Sequence, residues 1–194
     1  MTKVKTKPDR LKKKILFEGK YLRFVSRDTW EYVERIRGTA IVVICALTPQ
    51  KKVLFVDQHR TAVDKRVIEF PAGLVNDWQT HESEESLKTA AVRELYEETG
   101  YRAKKWIYLT TGPSAAGISP TPMTFFKAEG LKKEGKGGGD EYEVITIYEV
   151  PFGGVDRWLK GMQKKGFLVD PKVYIGLYFL KNAHRRYTSQ AVIQ

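Results

Sequence analysis

Eight consecutive residues, Arg93-Glu94-Leu95-Tyr96-Glu97-Glu98-Thr99-Gly100, concentrate three carboxylates and a guanidinium ahead of a glycine. In an α-helix each residue advances about 100° around the axis. With Glu94 at zero, Glu98 falls near about +40° and Glu97 near about −60°, so the three carboxylates share roughly 100° of arc. Like charges so close repel one another. Leu87 and Ala91, near about +20° and about +60°, lie on either side of Glu98 and mark its direction as core-facing. A carboxylate there is costly unless something compensates it. Mg²⁺ is a natural partner, because it takes hard oxygen ligands and keeps waters that leave room for a phosphate. A solvated acidic helix face is the other reading, and helical geometry alone leaves both open. Glu85 falls near about 180°, away from Glu94, and reads as an exposed or ion-paired first-turn carboxylate.

The elements around this helix follow from apolar pattern and turn chemistry. The helix spans about Glu84 to Thr99, with Ser83 as N-cap and Gly100 as a left-handed stop. Thr39–Leu47 is a continuous β-branched run that reads as a buried strand, followed by a turn at Pro49–Lys52 and a strand over Val53–Gln58. Val67–Phe70 is a short strand ending at Pro71-Ala72-Gly73. Ile15–Ser26 reads as one strand, Asp28-Thr29 as a turn and Trp30–Ile36 as a second strand, giving a small N-terminal sheet. Trp106–Thr111 and Met123–Ala128 are strands around a loop, Gly112–Pro122. Leu131–Gly139 reads as a flexible loop, Glu143–Val150 as a strand, Val155–Lys165 and Pro171–Leu180 as helices. Strands interleaved with helices imply an α/β or α+β sandwich.

Composition narrows the class. The chain has 194 residues, is 42% hydrophobic and 29% charged, and carries a net charge of +11, an ordinary globular balance with a basic bias. The bias is segregated. Residues 1–36 carry 11 basic against 5 acidic side chains, residues 37–100 carry 8 against 10, and residues 101–194 carry 15 against 8. The acidic centre is thus the segment that holds the glutamates. A single cysteine, Cys45, excludes an internal disulfide framework and a Cys-built zinc site. The longest apolar run, Ala40 to Leu47, is too short to span a bilayer, and the basic N-terminus lacks a signal-peptide core, so a cytoplasmic protein is expected. The N-terminal lysines read as a solvated tail; without a nucleic-acid module, a nucleic-acid partner is not expected.

Taken together, Glu85, seven intervening residues and Arg93–Gly100, with Tyr101 in the last apolar place, resemble the signature of the Nudix hydrolases. The signature glycine six residues before Glu85 is replaced by Gln79. Its equivalent is Gly73 in Phe70-Pro71-Ala72-Gly73-Leu74, which implies about six extra residues around Trp78–Ser83, a cheap loop extension. Val53–Arg60, Glu69–Leu74 and the N-terminal segments Glu18–Tyr21 and Thr29–Arg35 are similar to the ADP-ribose and nucleoside diphosphate sugar pyrophosphatase branch.

That resemblance implies an α/β/α sandwich with a mixed sheet over residues 37–194, preceded by a basic tail and a small antiparallel sheet in residues 1–36. It implies Mg²⁺, for which Mn²⁺ can substitute, held by Glu94, Glu97, Glu98 and the carbonyl of Ala72. Gly73 falls in the same loop, Arg93 orders the glutamates, and Arg60 is a phosphate clamp through its planar donor fork. The resemblance further implies a homodimer in which the nucleobase stacks between Tyr21 and Trp30 of two subunits, with Arg35 adding a planar cation. Core filling is the other role open to these aromatics. Glu143 is the expected general base and Glu141 the second choice, on a segment following Gly137-Gly138-Gly139. Ser119 belongs to a loop expected to line the terminal sugar. That loop lacks the acidic residue common in ADP-ribose enzymes, so a hexose nucleotide such as GDP-mannose fits as well as ADP-ribose. The alternatives are a hydrolase of capped RNA or dinucleoside polyphosphates, and a non-catalytic nucleotide-binding regulator.

Overall fold

The computed structural model describes residues 12–77, 85–139 and 144–182. The first eleven residues, the insertion at Trp78–Ser83, the segment with Glu141 and Glu143, and residues 183–194 lie outside the described residues.

Strands β1 (Lys13–Glu18), β2 (Leu22–Arg27) and β3 (Trp30–Arg35) form an antiparallel sheet. The single strand expected over Ile15–Ser26 is two strands, because Gly19 turns the chain, its N–H donating to the Leu22 carbonyl at 2.9 Å. Asp28, with φ 57°, makes the second turn; the left-handed region is one that Asp tolerates. After this sheet come β4 (Ala40–Ala46), β5 (Lys52–Arg60), β6 (Lys65–Glu69) and β7 (Ala72–Val75), then α1 (Leu87–Thr99). The rest is β8 (Tyr101–Arg102), β9 (Lys105–Ala115), β10 (Ser119–Glu129), β11 (Lys132–Lys133), β12 (Thr146–Pro151), α2 (Val155–Lys164), β13 (Leu168–Val169) and α3 (Pro171–Lys181).

Two four-stranded mixed sheets, ordered β7-β4-β10-β9 and β12-β5-β6-β13, make the centre of an α/β sandwich. The pairs β4–β10 and β6–β13 are parallel and the others antiparallel. The β4 strand is apolar on both faces because both are covered. Val43 and Cys45 enter a core beneath α2 and α3, whereas Val42, Ile44 and Ala46 enter a core beneath α1. Gly176 lets α3 approach closely: a Cβ there would run into the Phe70 ring and the Cys45 sulfur. Complete burial pushes the Cys45 thiol up, which keeps it a packing residue.

Several boundaries differ from the sequence expectation. The cap of α1 is Ser86, whose side chain accepts from the Thr89 N–H at 3.1 Å, and Glu85 precedes the helix. Leu87, in the first turn, is 37% exposed, so Ala91 and Leu95 rather than Leu87 accompany Glu98 into the core. Gly100 does end the helix, with φ 71°. The expected loop Gly112–Pro122 is mostly the extended arms of the β9–β10 hairpin. Leu131–Gly139 is docked: the N–H groups of Gly138 and Gly139 donate to the carbonyls of Glu98 and Glu97 at 2.8 and 3.2 Å, satisfying orphan acceptors at the helix end.

Candidate functional site

The fold brings the C-terminal half of α1, the β6–β7 bend, the end of β5 and the start of α3 around one cleft of about 630 Å³. Glu98 is 3% exposed, and its Oε2 accepts from the Ala72 N–H at 3.2 Å. Glu94 lies beside it, facing Gly73 so closely that any Cβ at that position would overlap its carboxylate. Missing bulk at Gly73 therefore makes the space that Glu94 occupies. Glu97, in contrast, is exposed and turned to Arg93, and it does not line the cleft.

Arg93 ties this face together. Its Nε donates to Glu85 Oε1 at 3.1 Å, its Nη1 to Glu94 at 2.8 Å and Glu97 at 3.0 Å, and its Nη2 to the Leu74 carbonyl at 2.9 Å. Burial weakens the charged guanidinium, but the bonds to Glu85 and the charge of Glu94 outweigh it and hold Arg93 above its ordinary value. These bonds gather Glu85, Glu94 and Glu97 around one guanidinium. Glu85 is the ion-paired carboxylate expected, further fixed by the Asn76 N–H at 3.2 Å.

Arg60 and Arg35 line the cleft with Glu94 and Glu98, as do Ala72 and Gly73. The Arg60 Nε donates to Glu69 Oε2 at 2.7 Å, leaving the guanidinium partly exposed toward the cleft. Tyr21, Trp30 and Ser119 do not line it. Tyr21 and Trp30 sit at opposite ends of the β2–β3 hairpin, since Leu22 pairs with Arg35 and Arg27 with Trp30. Trp30 is 59% exposed, with its Nε1 donating to the Gly117 carbonyl at 3.2 Å. Ser119 bonds Thr121 within β10 at 3.0 Å.

The donor set fits a hard divalent cation. Two carboxylates, one nearly buried, share a cleft wall with the Ala72 backbone, and guanidinium groups that a phosphate would meet line the same cleft. Among the described residues no three Asp, Glu, His or Cys side chains form a closed cage. An open set suits a cation that keeps waters for substrate to displace.

Sequence reasoning missed Gln58, Glu69, Asp170 and Lys172 of the cleft. A signal existed for two of them. Gln58 ends the apolar run Val53–Val56 with a second polar residue, and Glu69 interrupts Val67–Phe70, where an unpaired polar group is costly.

Residues 37–156 match the family model of the NUDIX domain. The chain is 30% identical over 149 residues to the methanol dehydrogenase activator of Bacillus methanolicus, covering 76% of this chain and 75% of that one. It is 33% identical over 118 residues to the ADP-ribose pyrophosphatase of Bacillus subtilis, covering 60% of each. The crystal structure of an ADP compounds hydrolase superposes with a TM-score of 0.72 at 19% identity, over 94% of this chain and 96% of that one, and so shares the fold.

Proposed function

The chain belongs to the Nudix family, and from that premise we propose that it hydrolyses the pyrophosphate of a nucleoside diphosphate sugar, ADP-ribose or a hexose nucleotide such as GDP-mannose. Water attacks one phosphorus, the bridging P–O bond breaks, and a nucleoside monophosphate and a sugar phosphate leave. The observation that carries this reading is the cleft itself: Glu94 and Glu98 share it with Arg35 and Arg60. The relatives named ADP-ribose pyrophosphatase support the same substrate class.

Glu94 and Glu98, with Ala72, would hold Mg²⁺ or Mn²⁺, and Glu97, paired with Arg93 here, would complete the set. When bound, a divalent cation would supply charge neutralisation at the phosphate and a more acidic attacking water. Arg60 grips a phosphate oxygen with its guanidinium fork, and Arg35 adds a second cation. Arg93 keeps Glu94 in place. Glu143, or Glu141 in second place, accepts the proton of the attacking water. Ser119, at the tip of the β9–β10 hairpin, lies outside the cleft of its own chain and would meet a sugar only across the dimer.

In this reading the working form is a cytoplasmic homodimer joined through the N-terminal sheet. Support comes from apolar side chains that this sheet leaves open to solvent, among them Phe17 at 67% and Tyr21 at 62% exposure. Among the described residues no helix is long and apolar enough to cross a membrane.

A second reading, a nucleotide-binding regulator of another enzyme, is favoured by the name of the B. methanolicus relative. One panel decides. Phosphate release coupled to a phosphatase is followed with ADP-ribose, GDP-mannose, a dinucleoside polyphosphate and capped RNA, each with Mg²⁺ or Mn²⁺. Turnover of a nucleotide sugar at the highest kcat/KM supports the proposal; no turnover of any of them refutes the catalytic reading.

A further inference from the structure

The β5 strand changes face at each residue as it enters the cleft. Asp57 is fully buried on the side away from the cleft, bonded by Arg66 and by the Tyr148 hydroxyl at 2.8 Å. Gln58 and Arg60 face the other way and line the cleft. Gln58 is 8% exposed as a residue; among the described residues its side-chain amide makes no protein hydrogen bond, and its polar atoms stay open to the cleft. An amide open to a cleft is hydrated when the cleft is empty and exchanges that water for a group of the bound ligand.

The surroundings restrict that partner. Glu69, with a side chain 4% exposed, accepts from Arg60 at 2.7 Å and faces the Lys172 ammonium at 3.6 Å. Lys172 is also paired with Asp170. Two cations meet two carboxylates, so beyond the one phosphate assigned to Arg60 this part of the cleft carries no surplus positive charge for a second. A primary amide both donates and accepts. A phosphate oxygen only accepts and would leave the Gln58 carbonyl unmatched. A hydroxyl matches both, donating to Oε1 and accepting from Nε2.

We propose that Gln58 is a specificity-determining residue whose amide hydrogen-bonds a hydroxyl on the sugar half of the substrate. This rests on the reading of the cleft as a nucleoside diphosphate sugar site. Arg60, two residues along the same strand face, then holds the adjoining phosphate, so one strand end reads phosphate and sugar in succession.

The test compares ADP-ribose with ADP, which lacks the terminal sugar, by calorimetric titration of the metal-free protein in EDTA. Gln58→Met keeps length and removes both hydrogen-bonding atoms. ADP-ribose should bind about tenfold more weakly to the variant, and ADP within about twofold of wild type. Unchanged ADP-ribose binding, or an equal loss for both ligands, overturns the assignment. The substrate-side experiment needs no variant: ADP-ribose analogues lacking terminal-sugar hydroxyls one at a time are titrated into wild-type protein. One deletion should reproduce the Q58M loss and cost nothing further in Q58M. If no deletion weakens wild-type binding, Gln58 reads no sugar hydroxyl. If wild-type protein binds ADP-ribose no better than ADP, and GDP-mannose no better than GDP, the nucleotide-sugar reading itself fails. If wild type discriminates and Q58M discriminates equally, only the role of Gln58 fails.

Discussion

Replacing Gly73 with alanine separates the placement of Glu94 from the stability of the fold. Gly73 is not among the glycines with positive φ, so alanine adopts its backbone without strain. The new methyl would overlap the Glu94 carboxylate, which is the far end of a flexible side chain and not backbone. That carboxylate must retreat by more than about 1 Å to reach a contact separation of about 3.5 Å. Its retreat stretches the 2.8 Å bond from Arg93 and moves it relative to Glu98. Overpacking that a side chain can absorb costs at most about 1–3 kcal/mol, and the lost chain entropy of glycine returns about 0.4–1 kcal/mol. A misplacement of about 1 Å at reacting groups costs about 100-fold in rate, or about 2.7 kcal/mol of barrier. Gly73→Ala should therefore unfold in urea with a loss of no more than about 2.6 kcal/mol against wild type, while kcat on ADP-ribose falls about 100-fold. Turnover within about threefold of wild type would show that Glu94 has no fixed post to lose, and the reasoning would fail.

Two further outcomes follow from named bonds. Glu98→Gln keeps an oxygen that can accept from Ala72 N–H, so the fold should persist, but it removes the charge a cation needs. Turnover should drop by more than the about 10- to 100-fold typical of residues behind the ligands, and Mn²⁺ affinity measured by calorimetry should fall with it; near-normal values of either refute a ligand role. The Tyr101 hydroxyl and Lys52 both donate to Glu149, and these bonds hold its carboxyl below the ordinary value of 4.5. Burial, then Glu149, pushes Tyr101 up to about 12. The sign is opposite for the two. The contribution of Glu149 is present above the ordinary carboxylate range and is lost as pH falls through its depressed value. That of Tyr101 is present below pH about 10 and is lost as pH rises toward 12. In Tyr101→Phe the fall in Tm on acidification should be shallower than in wild type, and parallel curves between pH 3 and 7 would deny the coupling.

The glutamate helix was legible because its signals are local. The run Arg93–Thr99 closed by Gly100 needs only helical spacing and a left-handed stop. Its start was misplaced because Ser83 and Ser86 both precede acidic or polar first turns, and only the bond to Thr89 distinguishes Ser86. The β9–β10 hairpin was hidden by Pro113, Pro120 and Pro122. They are tolerated because β9 is an edge strand and β4 pairs only with Met123–Ala128 of β10, so the prolines leave no ladder bond unmade on the β4 side. Gly137-Gly138-Gly139 suggested freedom, but all three take positive φ and their segment caps α1, so glycine here serves shape. Gln58, Glu69 and Lys172 join the cleft through strand register and the docking of α3, long-range relations that a linear pattern does not carry.

The same register makes the two-subunit reading of Tyr21 and Trp30 decidable. From Leu22–Arg35 to Arg27–Trp30 the hairpin advances five residues, or about 17 Å at about 3.4 Å each. A base held between two rings needs each face within about 4.5–7 Å of a ring centroid, so the two aromatics of one chain are too far apart to clasp it. Tyr21 belongs to the cleft end of its own chain, because its carbonyl accepts from Ile36, next to Arg35, at 3.0 Å. In the proposed homodimer the ring facing Tyr21 across the base is therefore assigned to Trp30 of the second copy. A two-fold dimer of Tyr21→Ala with Trp30→Ala has one site missing both rings and one site with both intact. Free reassortment makes half the dimers mixed, so roughly a quarter of all sites are whole. At substrate concentrations well below KM, where stacking controls the rate, the equilibrated mixture should recover roughly a quarter of wild-type activity above the parents. Activity equal to the mean of the two parents would mean that each site takes both rings from one chain, which the hairpin length forbids, or that the base stacks on neither.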